Sequence, residues 1–69
     1  MQNFQQTRFL RRPEVSTMTG LSRSSIYAKM DTGAFPKPIK LSERSVAWLS
    51  SEVASWIENR VTATRGGVQ

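Results

Sequence analysis

The stretch that decides the fold is Thr19-Gly20-Leu21-Ser22-Arg23-Ser24-Ser25-Ile26-Tyr27. Glycine takes the left-handed conformation that closes a helix most easily, so Gly20 predicts a helix end. Ser22 is a good N-cap and predicts a second helix from Arg23 to about Thr32. Ile26 and Met30, four apart, give that helix an inner face, while Arg23, Ser24 and Tyr27 share another. Gly33 is its natural stop.

Upstream, Pro13 suits a first helical position, where its missing N–H costs nothing. Glu14 follows, well placed against the positive end of the helix dipole. Val15 and Met18, three apart, are expected to share a buried face, and Phe9-Leu10 to open the core. Downstream, Pro36 and Pro38 forbid helix and favour extended chain around Phe35. Ile39-Lys40-Leu41, a turn at Ser42-Glu43-Arg44 and Ser45-Val46-Ala47-Trp48 then read as a small hairpin. Ser50 or Ser51 can cap a last helix running to about Arg65. Val53, Trp56, Ile57 and Val61 form its apolar stripe. Glu52 in its first turn and Arg65 in its last both suit the dipole, and Gly66-Gly67 ends it. Two helices joined by a short glycine turn form a helix-turn-helix. A hairpin directly after it is a wing. The expected fold is α+β and mostly helical, a small winged helix-turn-helix with a two-stranded hairpin and a C-terminal helix.

The 69 residues make one domain: a flexible arm over 1–7, the winged domain over 8–65 and a flexible tail over 66–69. A chain this short buries only about 60% of the surface its unfolded form exposes. There is no cysteine and no histidine. That removes disulfides, thiolate and imidazole metal sites, and cysteine or histidine catalysis, so no cofactor is expected. No run of 18 apolar residues exists, and residues 1–7 lack the apolar core of a signal peptide; the expected setting is cytoplasmic.

The net charge is +5, and it is unevenly placed. From Arg8 to Trp48 there are eight basic residues (Arg8, Arg11, Arg12, Arg23, Lys29, Lys37, Lys40 and Arg44) against Glu14, Asp31 and Glu43. From Leu49 onward the charges balance. The asymmetry suggests a polyanion partner for the first two-thirds and a structural role for the rest; the plain alternative is a solvated basic surface.

Phe9-Leu10-Arg11-Arg12-Pro13-Glu14-Val15, Gly20-Leu21-Ser22-Arg23-Ser24-Ser25-Ile26-Tyr27, Phe35-Pro36-Lys37-Pro38-Ile39-Lys40-Leu41, Val46-Ala47-Trp48 and Ser51-Glu52-Val53-Ala54-Ser55-Trp56-Ile57 together resemble the AlpA family of phage and prophage transcriptional regulators. These are relatives of the excisionases and of the MerR-type winged helix. The resemblance covers residues 8 to about 62. It implies sequence-specific binding to double-stranded DNA, by a member that activates a prophage integrase gene or serves as a recombination directionality factor. The family often has a basic residue after Ile-Tyr; here Ala28 stands there and Lys29 follows.

In this geometry Arg23 meets base edges in the major groove, where arginine forks onto guanine O6 and N7. Ser22, Ser24 and Ser25 can donate to phosphate or base, with Ser22 expected to cap and Ser24 to contact DNA. Tyr27, one turn on, reaches a phosphate or a thymine methyl, or else is partly buried between the helices. Lys29 is a phosphate candidate. Lys37, Lys40 and Arg44 frame the wing, Arg44 at the turn being the minor-groove candidate, with Ser42 and Ser45 secondary. Arg11 and Arg12 lead into the first helix and clamp the backbone, or are simply solvated. Trp48 and Trp56 are read as core and not as platforms for single strands. Glu52 and Glu58 do not share a helix face, no histidine can act as base, and no phosphate-cradling loop exists, so an enzyme is not expected. The rival readings are a protein-interaction module such as an antirepressor, and an RNA binder. Further partners in view are RNA polymerase or integrase, with no membrane. The chain is expected as a monomer or weak dimer, cooperative on DNA.

Overall fold

The computed structural model describes residues 7–66. The expected arm over 1–7 and tail over 66–69 lie outside it but for Thr7 and Gly66. The elements are β1 (Phe9–Leu10), α1 (Arg12–Thr19), α2 (Arg23–Asp31), β2 (Ile39–Lys40), β3 (Val46–Leu49) and α3 (Ser50–Gly66). Helix, turn, helix, hairpin and helix follow in the expected order, a winged helix-turn-helix.

The sheet is larger than the hairpin read from the sequence. It has three antiparallel strands in the order β1-β3-β2, with Leu10 opposite Trp48 and Ile39 opposite Ala47. The Phe9-Leu10 strand is two residues long, too short to show a period of two, and its pairing is set by tertiary contacts. Its partner strand continues into α3, and the junction is pinned. The Ser50 N–H donates to the Arg8 carbonyl at 2.8 Å, and the Arg8 N–H donates to the Ser50 hydroxyl at 2.8 Å.

Helix α1 opens with Glu14 reaching back, its carboxylate accepting the Arg11 N–H at 3.3 Å. Pro13 is its second residue, still within the turn whose N–H groups have no partner. Gly20, at φ 77°, closes the helix with its N–H on the Ser16 carbonyl. The Thr19 hydroxyl bridges the turn: it donates to the Val15 carbonyl and accepts the Leu21 N–H. Ser22 caps α2 as expected, its Oγ accepting the Ser25 N–H at 3.1 Å. At the far end Gly33, at φ 80°, donates to Met30 while Ala34 donates to the Lys29 carbonyl at 2.7 Å. This paired closure is a Schellman motif, and it turns the chain sharply into the extended segment before β2.

One residue from each of six segments makes the core: Leu10, Val15, Ile26, Phe35, Trp48 and Val53, with Leu21, Met30, Val46, Trp56 and Ile57 packed around it. Three apolar side chains expected inside are outside. Met18 does not share the face of Val15. The covered side of α1 runs through Arg12, Val15, Ser16 and Thr19, and at 3.6 residues per turn Met18 lies roughly 110° from its centre. Phe9 points away from the core because its neighbour Leu10 points in. Val61 is exposed because α3 outruns the core: every residue from Glu58 to Gly66 is exposed, and Val61 stands about 12 Å along the helix from Val53.

Candidate nucleic-acid interface

The two helices of the helix-turn-helix are joined by Gly20, Leu21 and Ser22, with Leu21 and Ile26 turned inward. That rotation puts Arg23, Ser24 and Tyr27 on the outer side of α2, all three exposed. The first turn of α2 carries no acidic residue. The N-terminal end of a helix presents unpaired N–H groups and partial positive charge, so this end suits an anion.

Two of the exposed side chains on α2 stack on one another. The Arg23 guanidinium lies 5.8 Å from the centre of the Tyr27 ring, over its face. Tyr27 in turn meets Trp48 edge to face, ring centres 6.5 Å apart. Trp48 is fully buried, so the stack runs from the core outward to the arginine. An arginine resting on a ring loses less freedom when it binds. Tyr27 is partly covered, by Trp48 of β3 rather than between the two helices, and about a third of it stays exposed. Among the serines, Ser22 and Ser25 are occupied with one another, Oγ to Oγ at 3.1 Å, as well as in the cap. Ser24 is exposed on the other side of Arg23 from the Ser22 cap. Lys29 is half-buried, and its carbonyl is taken by Ala34 and by the Thr32 hydroxyl.

The wing turn holds Arg44 and Glu43, both exposed. Leu41 and Ser42 each donate a backbone N–H to the Ser45 carbonyl, at 2.7 and 3.2 Å, which fixes the turn tightly. Ser45 itself is half-buried. Lys37 and Lys40 are exposed on the approach to the turn and on β2. The arginine pair before α1 divides. Arg12 is half-buried and donates to the Ser16 hydroxyl at 3.1 Å. Arg11 is exposed and extended at the end of β1.

Two tryptophans hold α2 and wing in register, a role the sequence reading did not assign. The Trp48 indole N–H donates to the Pro36 carbonyl at 3.0 Å, and the Trp56 indole N–H to the Ala34 carbonyl at 2.7 Å. Phe35, between those two carbonyls, is buried and meets Trp56 edge to face at 5.0 Å. The segment leading from α2 to the wing is thus gripped by β3 and by α3. The signal was available: an indole N–H taken into a core needs an acceptor, and an extended proline segment has spare carbonyls.

A groove of about 490 Å³ runs between this segment and α3, lined by Phe35, Pro36, Glu52, Trp56 and Asn59 among others. None of the predicted contact residues lines it. Among the described residues, no group of three or more acidic, histidine or cysteine side chains comes together to hold a metal. No described helix is long and apolar enough to cross a membrane.

Comparison with known proteins adds to this geometry. The chain matches the family described as prophage CP4-57 regulatory protein (AlpA) over residues 8–61. It is 47% identical over 62 residues to an uncharacterized protein, ORF88, of Enterobacteria phage P4, covering 90% of this chain and 70% of that one. It is 33% identical over 66 residues to the DNA-binding transcriptional activator AlpA of Escherichia coli K12, covering 87% of this chain and 94% of the relative. The matched span runs from the residue before β1 into the exposed part of α3, taking in both helices of the helix-turn-helix, the wing and the tryptophan grip; the chain belongs to the AlpA family of prophage regulatory proteins.

Proposed function

We propose that this protein is a sequence-specific regulator of prophage transcription that binds duplex DNA, with the integrase gene as its target. The observation that carries the reading is the exposed set Arg23, Ser24 and Tyr27 on the outer side of a Ser22-capped helix with no acidic residue in its first turn. It is supported by the charge, all of it in the first two-thirds of the chain, and by the likeness to a DNA-binding transcriptional activator.

In this mechanism α2 enters the major groove by its N-terminal end. Arg23, held on the Tyr27 ring, reads guanine; Ser24 donates to a base or phosphate. Lys29 and the α2 N–H groups meet the backbone. Lys37, Lys40 and Arg44 bring the wing to the flanking phosphates, Arg44 at the minor groove, with Ser42 and Ser45 beside it. Arg12, from a position fixed by Ser16, marks the backbone near α1, while Ser22 and Ser25 hold the helix end. One copy covers a short site, so the protein acts in the cytoplasm through repeated sites or beside polymerase bound at the same promoter.

The test is selection of bound fragments from the source genome at physiological salt with excess competitor DNA. Enrichment of the region upstream of an integrase gene is expected. Enrichment of attachment-site DNA instead would replace the reading with that of an excisionase, which assists integrase. Binding that vanishes at moderate salt with no fragment enriched would refute sequence-specific regulation.

A further inference from the structure

The sheet has a second face. Residues directly opposite on neighbouring strands point the same way, and successive residues alternate. Leu10 and Trp48 point into the core. Phe9 and Leu49, opposite one another, therefore point out, and so do Ile39 and Ala47. Leu41, whose N–H bonds to Ser45 across the hairpin, continues the row from Ile39. Arg11, extended and two residues past Phe9, falls on the same side.

An antiparallel sheet with one solvated face ordinarily turns polar side chains outward. Here the outward set is apolar. Phe9 is 49%, Leu41 43% and Ile39 38% exposed. Ala47 is wholly covered yet lies outside the core cluster, as a small residue walled in on this second face would. A grouped apolar patch on so small a surface marks an interaction site.

Size and charge narrow the occupant. The exposed parts of Phe9, Ile39 and Leu41 amount to roughly 250 Å² of apolar surface, room for a short segment but small beside the ~600–1,000 Å² that each partner of a stable dimer buries. A second copy would also bring together two molecules that each carry +5. Duplex DNA offers no large apolar surface. No acidic side chain belongs to the face itself. The nearest in sequence are engaged or offset: Glu14 pairs with Arg8 at 3.3 Å, and Glu43 adjoins Arg44. We propose that the outer face of the sheet docks a second protein through a short apolar segment with acidic flanks, its apolar side chains on Phe9, Ile39, Leu41 and Leu49 and a carboxylate on Arg11. Such a segment, helix or strand, matches a patch of this size.

The test is selection from a displayed random peptide library on the full-length protein, followed by titration of the winning peptides. The expected winners combine aromatic or aliphatic residues with Asp or Glu. Phe9→Ser and Arg11→Glu should each weaken them about tenfold. Phe9 is half exposed, so Phe9→Ser should lower the melting temperature by only a few degrees, and well below that temperature its affinity for duplex DNA should stay within about twofold. This control separates the proposal from the DNA-binding reading, since either can fail alone. The proposal is overturned by winners without acidic residues, by peptides that bind Phe9→Ser equally well, or by no saturable winner. It is also overturned if Phe9→Ser loses duplex affinity, which would put the face on DNA. Self-association in sedimentation equilibrium that Phe9→Ser abolishes would assign the face to a second copy.

Discussion

Replacing each tryptophan by phenylalanine separates what the indole N–H does from what the ring does. Trp48 is fully buried and donates to the Pro36 carbonyl at 3.0 Å. Trp48→Phe deletes that bond, worth about 0.5–1.5 kcal/mol net. It also removes ~40 Å³ from a closed core, which at about 24 cal/mol per Å³ adds ~1 kcal/mol. The sum is about 2 kcal/mol, from a domain whose whole stability is of order 3–10 kcal/mol by size. In a domain this small each kcal/mol moves Tm by about 4–8 °C, so a fall of roughly 10 °C or more is expected. Trp56 is half-buried and its bond to Ala34, at 2.7 Å, lies in an exposed setting. Trp56→Phe opens no closed cavity and keeps a ring against Phe35, so about 1 kcal/mol or less is expected. Circular dichroism melts are the assay, because both changes alter fluorescence. Indole N–H exchange measured by NMR supplies a second readout, with Trp48 the more protected. If Trp56→Phe costs as much as Trp48→Phe, or if both indole protons exchange freely, the grip on the 34–36 segment does not exist as described.

Other outcomes follow from single features. Ser22→Ala should lower stability by about 0.5–2 kcal/mol in urea melts, because Ser25 loses its acceptor; an unchanged midpoint would mean the cap is dispensable. Gly33→Ala meets no neighbouring atom within 4 Å, so its expected cost of ~1–2 kcal/mol is backbone strain alone, and Gly33→Asn should recover part of it. Arg23→Ala should cost about 1–3 kcal/mol on the specific site and relax base choice there; an unaltered preference in a binding-site selection would remove Arg23 from base reading. Arg44→Ala should weaken specific and random duplex alike and flatten the salt dependence by about one ion, whereas an unchanged slope would take Arg44 off the backbone.

The order of elements was legible because each boundary has a local cause. Gly20, Ser22 and Gly33 mark helix ends through their own conformational preferences, and the structure uses all three in that way. The prolines fix the extended segment before the wing. Long-range effects were not legible. The strand at Phe9-Leu10 exists because β3 accepts it, and nothing in two residues reveals that. Met18 satisfied the spacing rule for a buried pair with Val15, but the covered side of α1 is mostly polar, filled by Arg12, Ser16 and Thr19, and the apolar count misled. Val61 continued the stripe of α3 correctly in angle, yet beyond the end of the core. For the candidate site, the identity of the exposed α2 residues was readable from helical spacing. The stack of Arg23 on Tyr27 on Trp48 was not, since Trp48 is 21 residues from Tyr27 in sequence.

Strand β3 ends at Leu49 and α3 begins at Ser50, with no residue between them. Wing and terminal helix are therefore a lever without a hinge. Any tilt of the wing on binding must carry α3 with it or break the Arg8–Ser50 pair of bonds. The same junction leaves no room for added chain: an extra residue there would rotate α3 by about 100° and swing Val53 off the core. The wing turn at 42–44 has no such coupling. Length variation in the family should therefore collect at that turn and be absent from the junction.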